Sequence, residues 1–142
     1  MSNKLSTQFG VVCELRSKTA LSTSAELLRW LNFSTRTHCY QLFYDSLNKP
    51  IGYIIWANVC RETITRLART GQMPRYPYEW NEGYITLVLD LVFIDGWHCW
   101  NRKTLLGFLR THKSIAYYRK HKIHVKIRHN ETKFSQFPPI NL

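Results

Sequence analysis

Tyr84-Ile-Thr-Leu-Val-Leu-Asp-Leu-Val-Phe-Ile-Asp-Gly96 is the most apolar stretch of this 142-residue chain. It is too short to cross a membrane, because a spanning helix needs about 20 apolar residues. Large and β-branched apolar residues dominate it, and Gly83 and Gly96 stand at its two ends. This composition predicts a central β-strand that is covered on both faces.

Asp90 lies inside this apolar stretch. An ionised carboxylate that is buried without partners costs several kcal/mol. Asp90 is therefore expected to have a buried partner or to open into a functional site, where desolvation perturbs acids. The alternative is a structural aspartate that accepts hydrogen bonds from nearby backbone N–H groups, and the pattern alone does not separate the two.

The length predicts one domain over residues 1–142. Apolar spacing predicts an α+β fold in the order ααββαβαββ, with a mostly antiparallel sheet and packed helices. The predicted helices cover 4–18, 24–32, 61–70 and 97–113, and the predicted strands cover 39–45, 51–57, 84–96, 122–128 and 132–137. No 18-residue apolar window and no signal-peptide core occur, so we expect a cytoplasmic protein without a transmembrane segment.

The charge distribution favours an acidic partner. The formal net charge is +11, and half of the 20 lysines and arginines follow residue 100, where Glu131 is the only acid. Nucleic acid, an anionic membrane, an acidic carrier protein and an acidic subunit all fit such a field, as does a simple solvated face. The tract from Tyr117 to Lys122 interleaves aromatic and cationic residues, as nucleic-acid surfaces do, but no nucleic-acid module signature accompanies it. We therefore expect no nucleic-acid partner.

The four cysteines show no CxxC spacing and lie in segments that are predicted to be buried, so we expect reduced thiols. Cys60 and Cys99 fall at predicted helix N-termini, where a thiolate is favoured, although a small buried hydrophobic residue is the more ordinary interpretation. The pairs His38-Cys39 and His98-Cys99 have no further ligand at helical spacing, so no metal site is predicted.

The stretch Pro50-Ile-Gly-Tyr-Ile-Ile-Trp-Ala-Asn58 resembles the toxin-activating lysine-acyltransferase family, the cytoplasmic activators of RTX toxins. That family has a Pro-x-x-Tyr-x-x-Trp-Ala strand followed by a helix. Leu89-Asp90 and Gly96 match its later apolar-Asp pair and glycine. The segments 126–128 and 133–137 match its last strand pair, and the resemblance covers roughly residues 9–137.

The resemblance implies an acetyltransferase-like (GNAT-type) fold and the transfer of an acyl group from acyl carrier protein to a lysine of a protoxin. The family relies on an Asp, which Asp90 matches, and on an Asn at the end of the second helix, which Asn32 matches. Its His between the first two helices has no counterpart near Leu21-Ser22, and Ser22 is the candidate replacement. The candidate binding residues are Trp56 of the motif and three cations of the basic tract, namely Arg119, Lys120 and Lys122.

The length and the missing His make the chain similar to a short, divergent branch of this family that is associated with siderophore-microcin maturation. That branch implies a maturation protein which, with a partner protein, joins a glycosylated catecholate siderophore to the C-terminus of a microcin precursor. Candidate co-substrates are acyl carrier protein as donor, or ATP with magnesium. The alternatives are fatty acylation of a protoxin lysine from acyl carrier protein, and a non-catalytic basic binding subunit.

Overall fold

A computed structural model describes residues 2–119, 122–128 and 134–136. These residues form four α-helices, six β-strands and one short 3-10 helix, Pro77–Trp80. The helices are α1 (Ser2–Ser17), α2 (Ala25–Arg36), α3 (Arg61–Thr70) and α4 (Cys99–Leu109). The strands are β1 (Tyr40–Tyr44), β2 (Pro50–Val59), β3 (Ile85–Phe93), β4 (Ser114–Arg119), β5 (Lys122–Arg128) and β6 (Phe134–Gln136).

The six strands form one sheet in the order β1-β2-β3-β4-β5-β6. Neighbouring strands are antiparallel except β3 and β4, which are parallel and are connected through α4. The predicted α+β class and mostly antiparallel sheet are confirmed, and the arrangement is consistent with a GNAT-like fold. No helix in the described part of the chain combines the length and hydrophobicity needed to cross a membrane.

Both faces of the sheet are covered, as the apolar composition of β3 predicts. Ile55 of β2 packs with α1 and α2, in a cluster that includes Leu15, Leu31 and Val92. Its neighbour Trp56 points to the opposite face, because side chains alternate along a strand, and packs against Phe108 of α4 with a ring-centroid distance of 5.1 Å. The central strands therefore lie between two layers of helices.

The strand β4 is absent from the predicted order, and α4 is shorter than predicted. Residues 97–113 were expected to be helical, but α4 ends at Leu109 and β4 begins at Ser114. Ile115 and Ala116 are consecutive and both buried, so β4 lacks the polar-apolar alternation by which a strand is recognised. The order of elements is therefore ααββαβαβββ.

A one-residue bulge interrupts the pairing of β2 and β3. Ile55 pairs with Asp90 and the next residue, Trp56, pairs with Val88, so Leu89 is an extra residue in β3. Beyond the bulge β3 also loses β4: the parallel pairing covers only 86–88 with 115–117, although β4 continues to pair with β5 as far as Arg119. The sheet thus opens between β3 and β4 at the level of Asp90.

Candidate active site

Asp90 is held by two side chains rather than by backbone amides. The Tyr53 hydroxyl donates to Asp90 Oδ2 at 2.6 Å. Arg16 Nη1 lies 3.1 Å from Asp90 Oδ2 and 3.4 Å from Oδ1. The side chain of Asp90 is 18% exposed and that of Arg16 is 11% exposed, so the pair is largely but not completely shielded from water.

Tyr53 is fully buried, and its environment keeps the hydroxyl protonated. Burial raises the pKa of Tyr53 strongly, and the charge and hydrogen bond of Asp90 raise it further, whereas Arg16 lowers it. A phenolate beside the Asp90 carboxylate would place two like charges in a shielded site. Tyr53 therefore acts as a fixed hydrogen-bond donor that orients Asp90.

Arg16 also connects the sheet to the loop between α1 and α2. Its Nη2 donates to the carbonyl oxygen of Ser22 at 2.6 Å, while its Nη1 binds Asp90. Its Nε is buried and has no hydrogen-bond partner. One guanidinium thus fixes the position of the loop relative to the carboxylate.

Asp90 retains one oxygen that is free to bind a reactant. Both short contacts, from Tyr53 and from Arg16, go to Oδ2, whereas Oδ1 has only the 3.4 Å contact with Arg16. A carboxylate oxygen accepts two hydrogen bonds in favourable geometries. Oδ1 can therefore accept a hydrogen bond from a hydroxyl or an amine that reaches the shielded site.

A cleft of about 600 Å³ has a volume within the size range of small-molecule sites. Leu91 and Leu21, the chain neighbours of Asp90 and Ser22, belong to its lining, whereas Asp90, Arg16 and Tyr53 do not. One wall is the α1–α2 loop, residues 18–21, and the other is formed by residues 91–94, Gly96 and Trp97. Ile94 N donates to Ile51 O, so by strand alternation the backbone groups of Leu91 and Phe93 face away from β2. The carbonyl oxygen of Phe93 accepts from Gly96 N at 3.3 Å, which leaves the backbone groups of Leu91 and the N–H of Phe93 at this edge. An extended ligand that contains amides can pair with such an edge.

Two of the predicted catalytic residues are placed differently from the prediction. Ser22 reaches the cluster through its carbonyl oxygen, not through its hydroxyl. Asn32 was expected at the end of the second helix, but α2 continues to Arg36, so Asn32 lies inside it. Its Oδ1 accepts from Arg36 Nε at 3.0 Å, and no contact among the described residues joins Asn32 to Asp90.

The predicted binding residues lie in two regions. Trp56 is only 9% exposed and contacts Phe108 and His112, so it belongs to the core beneath α4. Arg119 and Lys122 are exposed partners across the β4–β5 hairpin. Because β3 and β4 are parallel and 88 pairs with 117, Arg119 lies at the level of the β3 residues just beyond the bulge. Lys120 lies outside the described residues.

The partners of Asp90 were not predicted from the sequence. Arg16 lies one turn after Val12, which is completely buried on the inner face of α1. A cation at an apolar position of an amphipathic helix indicates a buried counter-charge, and this was the available signal. Nothing local identifies which acid is the partner, because Arg16 and Asp90 are 74 positions apart in the chain.

The four cysteines are free thiols, and they differ in burial. Cys39 is buried, and burial raises the pKa of its thiol and that of the half-buried Cys13. Cys60 is the N-cap of α3, as its predicted position at a helix start requires. Cys99 begins α4 and is exposed, so the expectation that all four lie in buried segments is wrong for this residue.

No protein-family model matches this chain, and no curated protein matches it. The described residues contain no group of three or more histidine, cysteine or acidic side chains placed to hold a metal ion.

Proposed function

We propose that this protein is an acyltransferase-like maturation protein that helps to modify a secreted bacterial peptide toxin inside the cytoplasm. In the most specific version of this proposal, the protein and a partner protein join a glycosylated catecholate siderophore to the C-terminus of a microcin precursor. The motif around Tyr53 and Trp56 supports the family, and the GNAT-like fold agrees with it. The observation that carries the proposal is an oriented carboxylate, Asp90, beside an open cleft.

The proposed bond is an ester between a sugar hydroxyl and the peptide carboxyl. The hydroxyl oxygen attacks the activated carboxyl carbon, the C–O bond forms, and the activating group leaves with its electron pair while the hydroxyl proton is removed. ATP with magnesium would supply the activation. In this proposal Asp90 Oδ1 accepts a hydrogen bond from the sugar and so holds the attacking hydroxyl in a near-attack position; its only contact among the described residues, at 3.4 Å from Arg16 Nη1, supports this role.

A second candidate is a non-catalytic basic binding subunit, and one observation favours it. Asp90 is already bound by an arginine and a tyrosine, and a carboxylate with such partners also serves to hold an element in place. In this alternative Arg16 and Asp90 only tie α1 to the sheet. The exposed cations Arg119 and Lys122 then contribute the functional surface.

The experiment is maturation with Asp90→Asn, followed by intact mass of the product. With the microcin precursor, glycosylated siderophore, ATP, magnesium and the partner protein, we expect wild type to give the siderophore adduct. Loss of a positioned electrostatic group typically lowers kcat about 10²–10³-fold, and we expect this for Asp90→Asn. The exposed acid Glu82 lies outside the cleft lining, so Glu82→Gln is the matched control and should retain the wild-type rate.

The same mass measurement separates the alternatives. A fatty-acyl mass shift on a protoxin lysine, with acyl carrier protein as donor, would replace the siderophore reaction by the ordinary family activity. A folded Asp90→Asn variant that matures the peptide at the wild-type rate would show that Asp90 carries no chemistry. Together with binding of the partner, that result would favour the non-catalytic subunit.

A further inference from the structure

The turn between β3 and α4 holds a second cluster of polar side chains beside the cleft. Gly96 and Trp97 of this turn line the cleft; Asp95 and His98 flank them in the chain and are not part of the lining. His98 Nε2 lies 2.8 Å from Asp95 Oδ2. Their side chains are 46% and 44% exposed, so the pair is accessible to a ligand.

A buried amide orients this pair from below. Asn101 is completely buried in α4, and its Nδ2 donates to Asp95 Oδ1 and to the carbonyl oxygen of Gly96, both at 2.7 Å. Because both neighbours are hydrogen-bond acceptors, the nitrogen end of the Asn101 amide must face the turn. Asp95 therefore has one oxygen bound to Asn101 and the other bound to His98.

The pair also has a defined arrangement of protons. The hydrogen bond from His98 has the largest effect and lowers the pKa of Asp95; burial opposes it, and the hydrogen bond from Asn101 lowers the pKa further. An ionised carboxylate only accepts hydrogen bonds, so the hydrogen between them belongs to His98 Nε2. In the neutral ring Nδ1 is then an acceptor, and no described residue binds it.

We infer that His98, oriented by Asp95 and Asn101, is the proton acceptor of the cleft for a hydroxyl or amine nucleophile. This inference rests on the proposed function and divides its chemistry between two residues: Asp90 accepts a hydrogen bond from another donor of the substrate and so positions the nucleophile, and His98 takes the proton of the attacking atom. The nucleophile forms its bond to the acyl carbon, the activating group leaves with its electron pair, and the proton passes to His98 Nδ1 and then to water. A base held by a third group is the usual arrangement in acyl transfer.

A purely structural role for the pair, as a cap of the turn before α4, explains less. Asn101 Oδ1 is buried without a hydrogen-bond partner, and such an atom typically costs about 1–3 kcal/mol. If the only role of this residue were to cap the turn, a side chain without the buried, unpaired Oδ1 would avoid this cost. The arrangement instead fixes the direction of Asp95, and through it the ring of His98.

Charged groups lie on both sides of His98. Lys18 lies on the opposite wall of the cleft, and Arg102 lies one turn into α4, where its backbone N–H donates to the His98 carbonyl. Asp95 is the acid that binds the ring and holds it in position.

The first test needs no substrate. Nitrogen-15 NMR of the histidines at neutral pH should show His98 as the Nε2–H tautomer, and Asp95→Asn should reduce that preference. The control variant His38→Asn identifies the signals of a second exposed histidine and should leave the His98 signals unchanged. Asparagine suits this position because it tolerates the positive φ of 60°. A dominant Nδ1–H tautomer in wild type would overturn the inference.

The second test is the rate of peptide modification against pH. His98→Gln keeps a donor for Asp95 and should lower kcat about 10²–10⁴-fold with little change in KM. A base must be unprotonated to act, so wild type should show an acid limb in its pH–rate profile that His98→Gln removes. His38→Asn should behave as wild type. An unchanged rate and pH profile in folded His98→Gln would overturn the inference.

A third measurement separates failure of this inference from failure of the proposed function. If wild type modifies neither peptide nor protoxin, the proposed substrates are wrong, and cleavage of p-nitrophenyl acetate then tests the base alone. We expect wild type to release p-nitrophenolate at least several-fold faster than His98→Gln, with His38→Asn again equal to wild type. Equal rates for wild type and His98→Gln would contradict the role of His98 whatever the natural substrate is.

Discussion

At the scale of single residues, Asp90 shows what a sequence pattern can and cannot predict. A carboxylate in an apolar strand requires a buried partner or a site, and the structure provides both Arg16 and a neighbouring cleft. The partners themselves could not be predicted, because Arg16 and Tyr53 lie 74 and 37 positions away in the chain. Burial is a local property of a pattern, whereas pairing across such distances depends on the completed fold.

Breaking the Arg16–Asp90 pair should destabilise the protein more than breaking a surface pair. Arg16→Met leaves a shielded carboxylate without its counter-charge, and we expect a loss of about 2 kcal/mol in the free energy of unfolding, because both groups are partly exposed. Asp90→Asn should recover part of this loss in the double variant. Urea denaturation measures each value.

Lys18→Met is the matched control for this set of Arg16 and Asp90 variants. Lys18 pairs with Glu14 at 3.6 Å, and both side chains are more than half exposed, so its removal should change stability by less than about 0.5 kcal/mol. An Arg16→Met variant as stable as Lys18→Met would show that the inner pair contributes no more than a surface pair.

The lowered pKa of Asp95 predicts a stability effect with a definite sign. The folded state prefers the ionised carboxylate, mainly because of His98, so this contribution is present above the ordinary Asp pKa of about 3.9. It is lost as the pH falls through the folded-state value. The difference in Tm between wild type and Asp95→Asn should therefore be larger at pH 6 than at pH 3, and an equal difference would contradict the coupling.

At the scale of elements, the sequence predicted well those helix boundaries that depend on neighbouring residues in the chain. The predicted bounds of α3, 61–70, are confirmed, and Gly71 follows the helix with a φ of 70° that glycine adopts without strain. The helix α2 begins one residue after the predicted start at 24, because Ser24 is its N-cap and the Ser24 hydroxyl accepts from the Leu27 N–H. The strand β4 and the bulge could not be predicted, because register is determined between strands.

Two glycines give a matched test of packing between elements. A Cβ at Gly52 would lie 2.4 Å from the carbonyl oxygen of Val92, so Gly52→Ala must push β2 and β3 apart and should cost about 1–3 kcal/mol or more. Gly107, inside α4, has nothing within 4 Å of the same position. Gly107→Ala should therefore stabilise by about 0.5–1 kcal/mol, because alanine is the better helix former.

Thermal unfolding of the two glycine variants tests whether Gly52→Ala lowers and Gly107→Ala raises the stability of the protein. A Gly52→Ala variant as stable as wild type would mean that β2 and β3 are not packed as closely as their backbones indicate. Retained activity in Gly107→Ala would further show that the outer face of α4 does not contact the reactants.

At the scale of the whole molecule, the predicted charge asymmetry corresponds to one part of the fold. Among the residues whose exposure is described, the exposed cations after residue 100 lie on α4, on the connection that follows it and on the β4–β5 hairpin; they are Arg102, Lys103, Arg110, Lys113, Arg119 and Lys122. The composition alone predicted a positive electrostatic field in this part of the chain. The position of the hairpin at the opening beside Asp90 required the parallel register of β3 and β4. Such a surface accelerates the approach of anionic partners.

Charge reversal should therefore weaken binding of an acidic protein in a position-dependent way. With purified acyl carrier protein as the probe, we expect Arg119→Glu with Lys122→Glu to raise Kd roughly tenfold at 50 mM salt, and the difference should shrink at 300 mM. Arg29→Glu with Lys49→Glu changes the net charge equally at two other exposed positions and should have a smaller effect. Equal effects of the two double variants would indicate only a general field.

The extra residue Leu89 also determines which change of length the segment tolerates in evolution. In a regular strand Val88 and Asp90 would share a face, because side chains repeat every two residues, but the bulge lets Val88 follow Trp56 and Asp90 follow Ile55 on opposite faces. Deletion of Leu89 would therefore leave a regular strand in which Asp90 still lies opposite Ile55 and still faces Arg16. A lineage can lose this residue without losing the Arg16–Asp90 pair.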